Sequence, residues 1–417
     1  MNKDRKIKVG IFFGNFGPYH HARTKAFQNY CKNRNFEIIP IEISQYSSTY
    51  RWKSKFNFCK NLISLFDLEE EKINPILIFT KTYLVLREKN IRVAFLPSYS
   101  PLRYFVLLLA AKANFCKTVM MNESHKGTEK AKGLRMHLKK FLVNQFDSAL
   151  VGGSLHKKYF HSLGLSESKI FTGYDAIDND YFIENAKNIR KNISKLNNKY
   201  NKNYLLPDSY FLSLGRLVYK KNLTRLIKAY YAFSKNHFKK FKGIPTALVI
   251  VGDGTEKDNI IDLIYKLNLN FFDLSKNNRK KEFNKKINYH SGSVYFYGFK
   301  QIEENPIFFS FAKAFILPSI YEEWGLVVNE AMACSIPIIA SEVAGCVEDL
   351  MPKITFKNKN DKKLFGEYFR NNLSENIRKK DLPKLKKNGL TFNPYSEESL
   401  QIALEYIEAT SRNNKIQ

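Results

Sequence analysis

Short apolar runs alternate with helix-period segments along the whole chain, and this alternation constrains the fold more than any other feature. Runs such as Lys8 to Phe13 and Ala247 to Val251 are nearly all apolar, as a strand covered on both faces of a parallel sheet must be. Interleaved helical segments make them βα units. The theme occurs twice. Expected strands are Lys8 to Phe13, Phe36 to Ile41, Val93 to Pro97, Thr118 to Met121, Ser148 to Val151 and Ile170 to Thr172, then Tyr210 to Leu214, Ala247 to Val251, Val294 to Tyr297, Ala314 to Leu317 and Pro337 to Ala340. A length of 417 residues accommodates two large domains at about 150 residues or more each. The polar, Asn- and Lys-rich stretch from 184 onward reads as the link between them, and a second one, Lys276 to Asn288, as a surface insertion. The expected division is therefore 1–183, a linker 184–207, 208–395, and a C-terminal helix at 396–417 that packs back toward the N-terminal domain.

The net charge is +29, but it is spread, with +14 over residues 1–180 and +15 over 181–417. A nucleic-acid footprint should be a concentrated patch with interleaved aromatics, so nucleic acid is not an expected partner. Coding bias toward Lys and Asn explains the charge as well as a functional cause does. The five cysteines contain no Cys-x-x-Cys pair, which suggests neither a disulfide framework nor a zinc site and fits a reducing cytoplasm. The most apolar stretch, Phe105 to Ala111, is far shorter than the ~20 residues of a membrane span. Export and membrane crossing are not expected.

The segment from Pro318 to Cys334, PSIYEEWGLVVNEAMAC, follows an expected strand, where open α/β sheets bind ligands. Gly325 permits close backbone approach, and a helix beginning near Leu326 aims its positive end at the same place, so an anion site is expected. Glu322 and Glu330 flank the helix start and are acceptors suited to sugar or ribose hydroxyls; one capping and one solvated glutamate is the plainer alternative. Upstream, Arg216 and Lys221 follow the strand Tyr210 to Leu214. Two cations there can neutralise a diphosphate, or be ordinary surface charge.

The order Gly215-Arg216-Leu217 with Lys221, then Val249 to Gly254, then Tyr297-Gly298-Phe299, then Pro318-Ser319 with the two glutamates, resembles the C-terminal half of retaining glycosyltransferases of family 4, over about residues 208 to 350. The resemblance, to a bacterial polysaccharide or lipopolysaccharide branch, implies the GT-B fold: two Rossmann-like parallel-sheet domains facing a central cleft, the first on the acceptor side and the second binding the nucleotide sugar. It implies that Arg216 and Lys221 bind the diphosphate, that Glu322 lies near the donor sugar and that Glu330 holds the ribose. Phe299, Trp324, Gly325 and Leu326 complete the implied donor site, and Glu322, Arg216 and Lys221 its catalytic set. Glu323-Trp324 stands where the family often has Gly-Phe, and Ser335 where a glycine is frequent.

After the first strand, Gly14 to Arg23 resembles the glycine loop of the same branch, which places Gly17 near the donor phosphate and makes His20 and His21 acceptor-side candidates; local capping or packing explains either histidine equally well. Asn122, Glu123 and His125 follow another strand where many relatives carry a histidine beside the donor sugar, and no one of the three is singled out. Gly173 to Phe182 is read as structural. Trp52, Phe56, Cys59, Ile63 and Phe66 share a face if 51–66 is helical, with Lys53, Lys55 and Lys60 beside them; this is either an interfacial helix for an anionic membrane or a core helix. Lys132, Arg135, Lys139 and Lys140 form a second basic segment open to the same two readings.

The reading that follows is a cytoplasmic, metal-independent, retaining glycosyltransferase of the hexosyltransferase type, peripheral on the inner membrane face, moving sugar from a nucleotide diphosphate sugar to a polysaccharide or lipid-linked glycan. No metal and no cofactor beyond the co-substrate is expected. A GT-B epimerase or phosphorylase, or a non-catalytic nucleotide-sugar-binding protein, is the alternative.

Overall fold

The computed structural model describes residues 6–47, 59–192, 204–240, 243–275, 288, 290–353 and 382–413. The chain divides into two compact units, Met1–Asp178 and Asn179–Gln417. Unit 1 carries strands β1 (Ile7–Phe13), β2 (Phe36–Tyr46), β3 (Ile63–Glu69), β4 (Val93–Leu96), β5 (Lys117–Asn122), β6 (Ser148–Val151) and β7 (Ile170–Thr172). They pair in the order β3-β2-β1-β4-β5-β6-β7, all parallel. The chain runs outward from β1 to β3 and then restarts on the other side at β4. Its topological switch point therefore lies between β1 and β4, where Gly14–Gly17 follows β1.

Unit 2 repeats the scheme with β8 (Tyr210–Leu214), β9 (Ala247–Val251), β10 (Asn270–Asp273), β11 (Ser293–Phe296), β12 (Ala312–Leu317), β13 (Ile338–Ser341), β14 (Lys384–Lys386) and β15 (Gly389–Phe392). The order is β10-β11-β9-β8-β12-β13-β15-β14, parallel except for the edge pair β14 and β15. The switch point here falls between β8 and β12. The loops that carry Arg216 and Glu322 leave those two strands, so the topology alone brings them together.

Every expected strand is present, most within a residue or two and β2 running five residues past Ile41 to Tyr46, and two Rossmann-like parallel-sheet domains are formed. Two differences have physical causes. Ile63 to Phe66, expected on a helical stripe, lies in β3, which pairs with β2; Leu65 enters the core, so alternation and not a three-to-four spacing decides its orientation. Cys59 is buried, and Trp52, Phe56, Lys53 and Lys55 lie outside the described residues. Helix Asn179–Lys191 begins before the expected boundary at 183 and continues through the first part of the expected linker. It belongs to unit 2, where Phe182 meets Phe309 edge-on and Arg190 donates to the carbonyls of Ser310 and Cys334 at 3.0 and 2.6 Å. Helix Glu397–Asn413 contributes to the core of its own unit. Leu400, Ala403, Leu404 and Ile407 enter the core of unit 2, and the buried Glu408 accepts from Thr246 Oγ1 and Lys313 Nζ, each at 2.7 Å. Residues 193–203 and 276–287 lie outside the described residues.

Helix Leu326–Ala333 ends in a six-to-one, five-to-two hydrogen-bond pair, with Ser335 N–H on Met332 O at 2.9 Å and Ile336 N–H on Ala331 O at 3.2 Å. This termination requires a left-handed residue, and Ser335 supplies it at φ 57°. The frequent glycine at this place in similar sequences now has a backbone reason. Ser335 is exposed, so Ser335→Gly relieves the strain without opening a cavity. A left-handed L-residue costs roughly 1–2 kcal/mol, while added chain entropy returns ~0.5–1 kcal/mol to the unfolded state. Thermal unfolding of the variant should show unit 2 more stable by about 0.5–1 kcal/mol, and an unchanged or lowered midpoint would contradict this account.

Candidate functional site

At the switch point of unit 2, Ser213 to Leu217, Lys221, Leu223, Leu317 and Pro318 line one open pocket. Glycines make the close approach possible. Gly252 packs so tightly on the Gly215 carbonyl that an added Cβ would lie 1.8 Å from its oxygen. Arg216 is exposed at the pocket. Asn222, left-handed at φ 55°, ends the short turn Tyr219–Lys221 and donates from Nδ2 to the carbonyl of Pro318 at 3.0 Å. The loop after β8 is thereby tied to the loop after β12.

Glu322 is buried and receives the Lys221 ammonium on Oε2, with Ser319 Oγ donating to the same oxygen at 2.8 Å and Lys220 Nζ 4.0 Å from Oε1. Burial pushes its carboxyl up, but the Lys221 and Lys220 charges and the Ser319 hydroxyl outweigh that and hold it below the usual carboxylate range. It is an anion at neutral pH. Glu323, the departure from the family pattern, pairs with Lys220. The loop is clamped from behind, because Gly345 N–H donates to Glu322 O at 3.1 Å and Cys346 N–H to Trp324 O at 3.2 Å.

Gly325 caps the helix at φ 100°, and a Cβ there would stand 3.0 Å from Leu317 Cδ2. Leu326 begins the helix as expected. Trp324 is buried and donates from Nε1 to Asn329 Oδ1 at 2.9 Å, so its ring shapes the loop from inside. Glu330 is 0% exposed and accepts on Oε2 from Asn305 Nδ2 at 3.0 Å. Phe299 follows β11 and is partly exposed; Gly298 O just before it accepts from Gly252 N–H at 2.9 Å. The structure thus joins Arg216, Lys221, Glu322, Trp324 and Gly325 around two adjoining loops, with Glu330 one layer deeper.

The unit 1 candidates have internal partners. Gly17 precedes helix Pro18–Cys31. His20 stacks on Phe13 at 3.9 Å, and its Nδ1 lies 3.0 Å from Asn15 O. Burial, with help from Arg23, pushes its pKa down to about 3, against the raising effect of the Asn15 carbonyl. His21 is buried with Nδ1 3.1 Å from Cys59 Sγ, a packing role. His125 is buried too, and its Nδ1 accepts from Gly127 N–H at 3.1 Å in a tight turn. Asn122 accepts from Ser124 N–H at 2.6 Å. Asp175 is buried 3.5 Å from Arg23; burial first, then the nearby Glu123 charge, push its carboxyl well up despite the arginine. The sequence reading missed Asp175 as part of this cluster, and also Glu70, which sits over Gly14 and accepts from Arg103 Nε at 2.6 Å. Arg23 and Asp175 both stood inside quoted segments, but their 152-residue separation hid the pairing. Among the described residues no His, Cys, Asp and Glu side chains group so as to hold a metal ion.

A group whose folded pKa is depressed adds stability above its unfolded pKa and loses it as pH falls through the folded value. The Glu322 contribution is therefore complete above the ordinary carboxylate pKa of about 4.3 and is lost progressively as pH falls from there through the depressed folded value. Glu322→Gln should lower stability at pH 7 and flatten the loss between about pH 5 and pH 3 relative to the unmodified chain. Acid titrations of unfolding free energy check this; parallel curves would deny the ion pair its stabilising role.

Comparison with known proteins follows the same division. Over 141 residues, 34% of this chain, it is 30% identical to an uncharacterized glycosyltransferase of Methanocaldococcus jannaschii. That match spans 29% of the relative's own length. Among solved structures, a glycosyltransferase from Rickettsia africae aligns with 97% of this chain and 88% of its own at TM-score 0.61 and 15% identity. Anabaena HepE, solved in complex with UDP-glucose, aligns with 97% and 91% at TM-score 0.58 and 14% identity. These identities speak to fold alone, and the fold is the GT-B type of two Rossmann-like domains. Residues 208–368 match the model of the family described as Glycosyl transferases group 1, so the second unit is similar to that family in sequence as well as in fold.

Proposed function

We propose that this chain is a retaining, metal-independent glycosyltransferase that transfers a sugar, of the hexose type, from a nucleotide diphosphate sugar to a polysaccharide or lipid-linked glycan at the cytoplasmic face of a membrane. One observation carries the reading: a buried, ionised Glu322 and the cations Arg216 and Lys221 meet at the switch point of unit 2, beside the glycine-led start of a helix. The group 1 family match covers the same residues. A nucleoside diphosphate leaving group needs positive charge and N–H donors where its own charge develops, and fixed dipoles supply this without reorganisation. A bound diphosphate competes with Glu322 for the Lys221 ammonium, which leaves the carboxylate to accept from donor-sugar hydroxyls. Arg216, exposed at the pocket, supplies a second charge with planar, two-pronged geometry. A nucleophilic role for a side chain is not part of the proposal.

Donor turnover tests it. Incubation with a panel of nucleotide sugars, uridine diphosphate sugars first because Anabaena HepE holds one, should release nucleoside diphosphate in the presence of a glycan acceptor and of a chelator. Absence of release across the panel, in a folded protein that still binds nucleotide, would leave only a binding role.

Arg216→Ala and Lys221→Ala should each weaken nucleoside diphosphate binding by ~1.5–3 kcal/mol, about 10- to 150-fold, with nucleoside binding nearly unchanged in titration calorimetry. Diphosphate affinity in both variants unchanged from that of the unmodified chain would remove the basic pair from the site. Glu330→Gln addresses the ribose. The expected result is a larger loss for a ribonucleotide than for its deoxyribose counterpart; equal losses would assign Glu330 to holding Asn305 and the helix.

A further inference from the structure

Helix Leu134–Val143 is apolar on two opposite sides. On the inner side Val143 is in the unit 1 core and Met136 packs against it. Lys139, flanking that side, is drawn onto Glu129 at 2.5 Å and lies over the Tyr159 ring. Residues spaced i, i+4 and i+7 share one face of a helix, and the outer face so defined is Leu134, Leu138 and Phe141. These side chains are 84%, 56% and 63% exposed. A helix anchored by its inner face usually turns polar residues outward. This one turns three large apolar residues outward and flanks them with Arg135 on one side and Lys140 on the other, both exposed.

We infer that this outer face docks on an anionic lipid bilayer, with Leu134, Leu138 and Phe141 entering the boundary between headgroups and acyl chains while Arg135, Lys140 and Lys132 meet lipid phosphates. The inference deepens the membrane-surface acceptor reading above and rests on it. Charge selects the occupant. Lys126, Lys130, Lys132, Arg135 and Lys140 are all exposed, and the one acidic residue among them, Glu129, is bound to Lys139. A second copy of the chain would bring an equally cationic face against this one and be repelled, whereas an anionic bilayer satisfies both the charge and the apolar stripe. Among the described residues no helix is long and apolar enough to cross a membrane, so the contact is a surface one.

The experiment uses the full chain and co-sedimentation with vesicles of phosphatidylglycerol and phosphatidylcholine, against vesicles of phosphatidylcholine alone. The unmodified protein should sediment with the anionic vesicles, and high salt should weaken that binding. The double variant Leu138→Glu, Phe141→Glu should bind at least tenfold more weakly, and Arg135→Gln with Lys140→Gln should lose most of the preference for anionic lipid. All four positions are exposed, so thermal midpoints and nucleotide binding should stay as they were. Wild-type vesicle binding by the apolar double variant, or no binding by the unmodified chain, overturns the inference. So does a dimer in size-exclusion chromatography that the apolar double variant converts to monomer without altering vesicle binding. Donor turnover on a soluble acceptor without vesicles reports on the enzymatic reading separately, so failure of one is distinguishable from failure of the other.

Discussion

The switch point of unit 2 is held by one ion pair between loops 101 residues apart in sequence, Lys221 on Glu322. Taking two charges out of water is expensive, and mutual attraction compensates only where further hydrogen bonds satisfy what remains. Ser319 supplies one such bond at 2.8 Å and Lys220 a second charge at 4.0 Å. Backbone bonds from Gly345 and Cys346 hold the Glu322 to Trp324 stretch from the other side. The carboxylate is fixed in place before any ligand arrives, which is how a site avoids ordering cost at the moment of binding.

The same device recurs in unit 1. Glu42 accepts from Phe16 N–H at 2.8 Å and Ser64 Oγ at 2.6 Å, although burial raises its pKa against the effect of both bonds. Glu70 accepts from Arg103 above Gly14. Each carboxyl grips the loop Gly14 to Gly17 or its floor, and each is contributed by a strand, or the turn after it, on the far side of β1. A glycine-rich loop has little side-chain packing of its own. Buried carboxyls reaching its backbone or its Cα surface substitute for that packing.

Elements covered on both faces were legible in the sequence because their apolar runs leave a single interpretation. β1, β8, β9 and β12 are of this kind. β3 was not, since Ile63 and Phe66 also satisfy a helical spacing and only pairing with β2 decides between the two. The short elements β10, β14 and β15 were not read from the sequence; β10 and β14 are the sheet edges and β15 lies beside β14. For the site, motif order located Arg216, Lys221, Glu322 and Gly325, which the topology gathers at one switch point. It was silent on Lys220 as the partner of Glu323 and on Asp175 with Arg23, because an ion pair between distant loops leaves no local trace. His21 and His125 show the converse. Their positions after a strand suggested ligand contact, but their ring nitrogens meet Cys59 Sγ and Gly127 N–H inside the fold.

Glu322 and Glu330 make the same point at closer range, since motif spacing treats them as a pair while their surroundings differ. Glu322 stands before the left-handed Gly325, in a loop whose charge is balanced by ammonium groups that a polyanionic ligand can draw away. Glu330 lies inside the helix, without accessible surface, and its visible partner is a neutral amide from helix Asn305–Phe311. The field at Glu322 depends on the position of the Lys221 ammonium, whereas Asn305 carries no charge. The two glutamates therefore differ in what surrounds the carboxylate, charged ammonium groups at Glu322 and a neutral amide at Glu330.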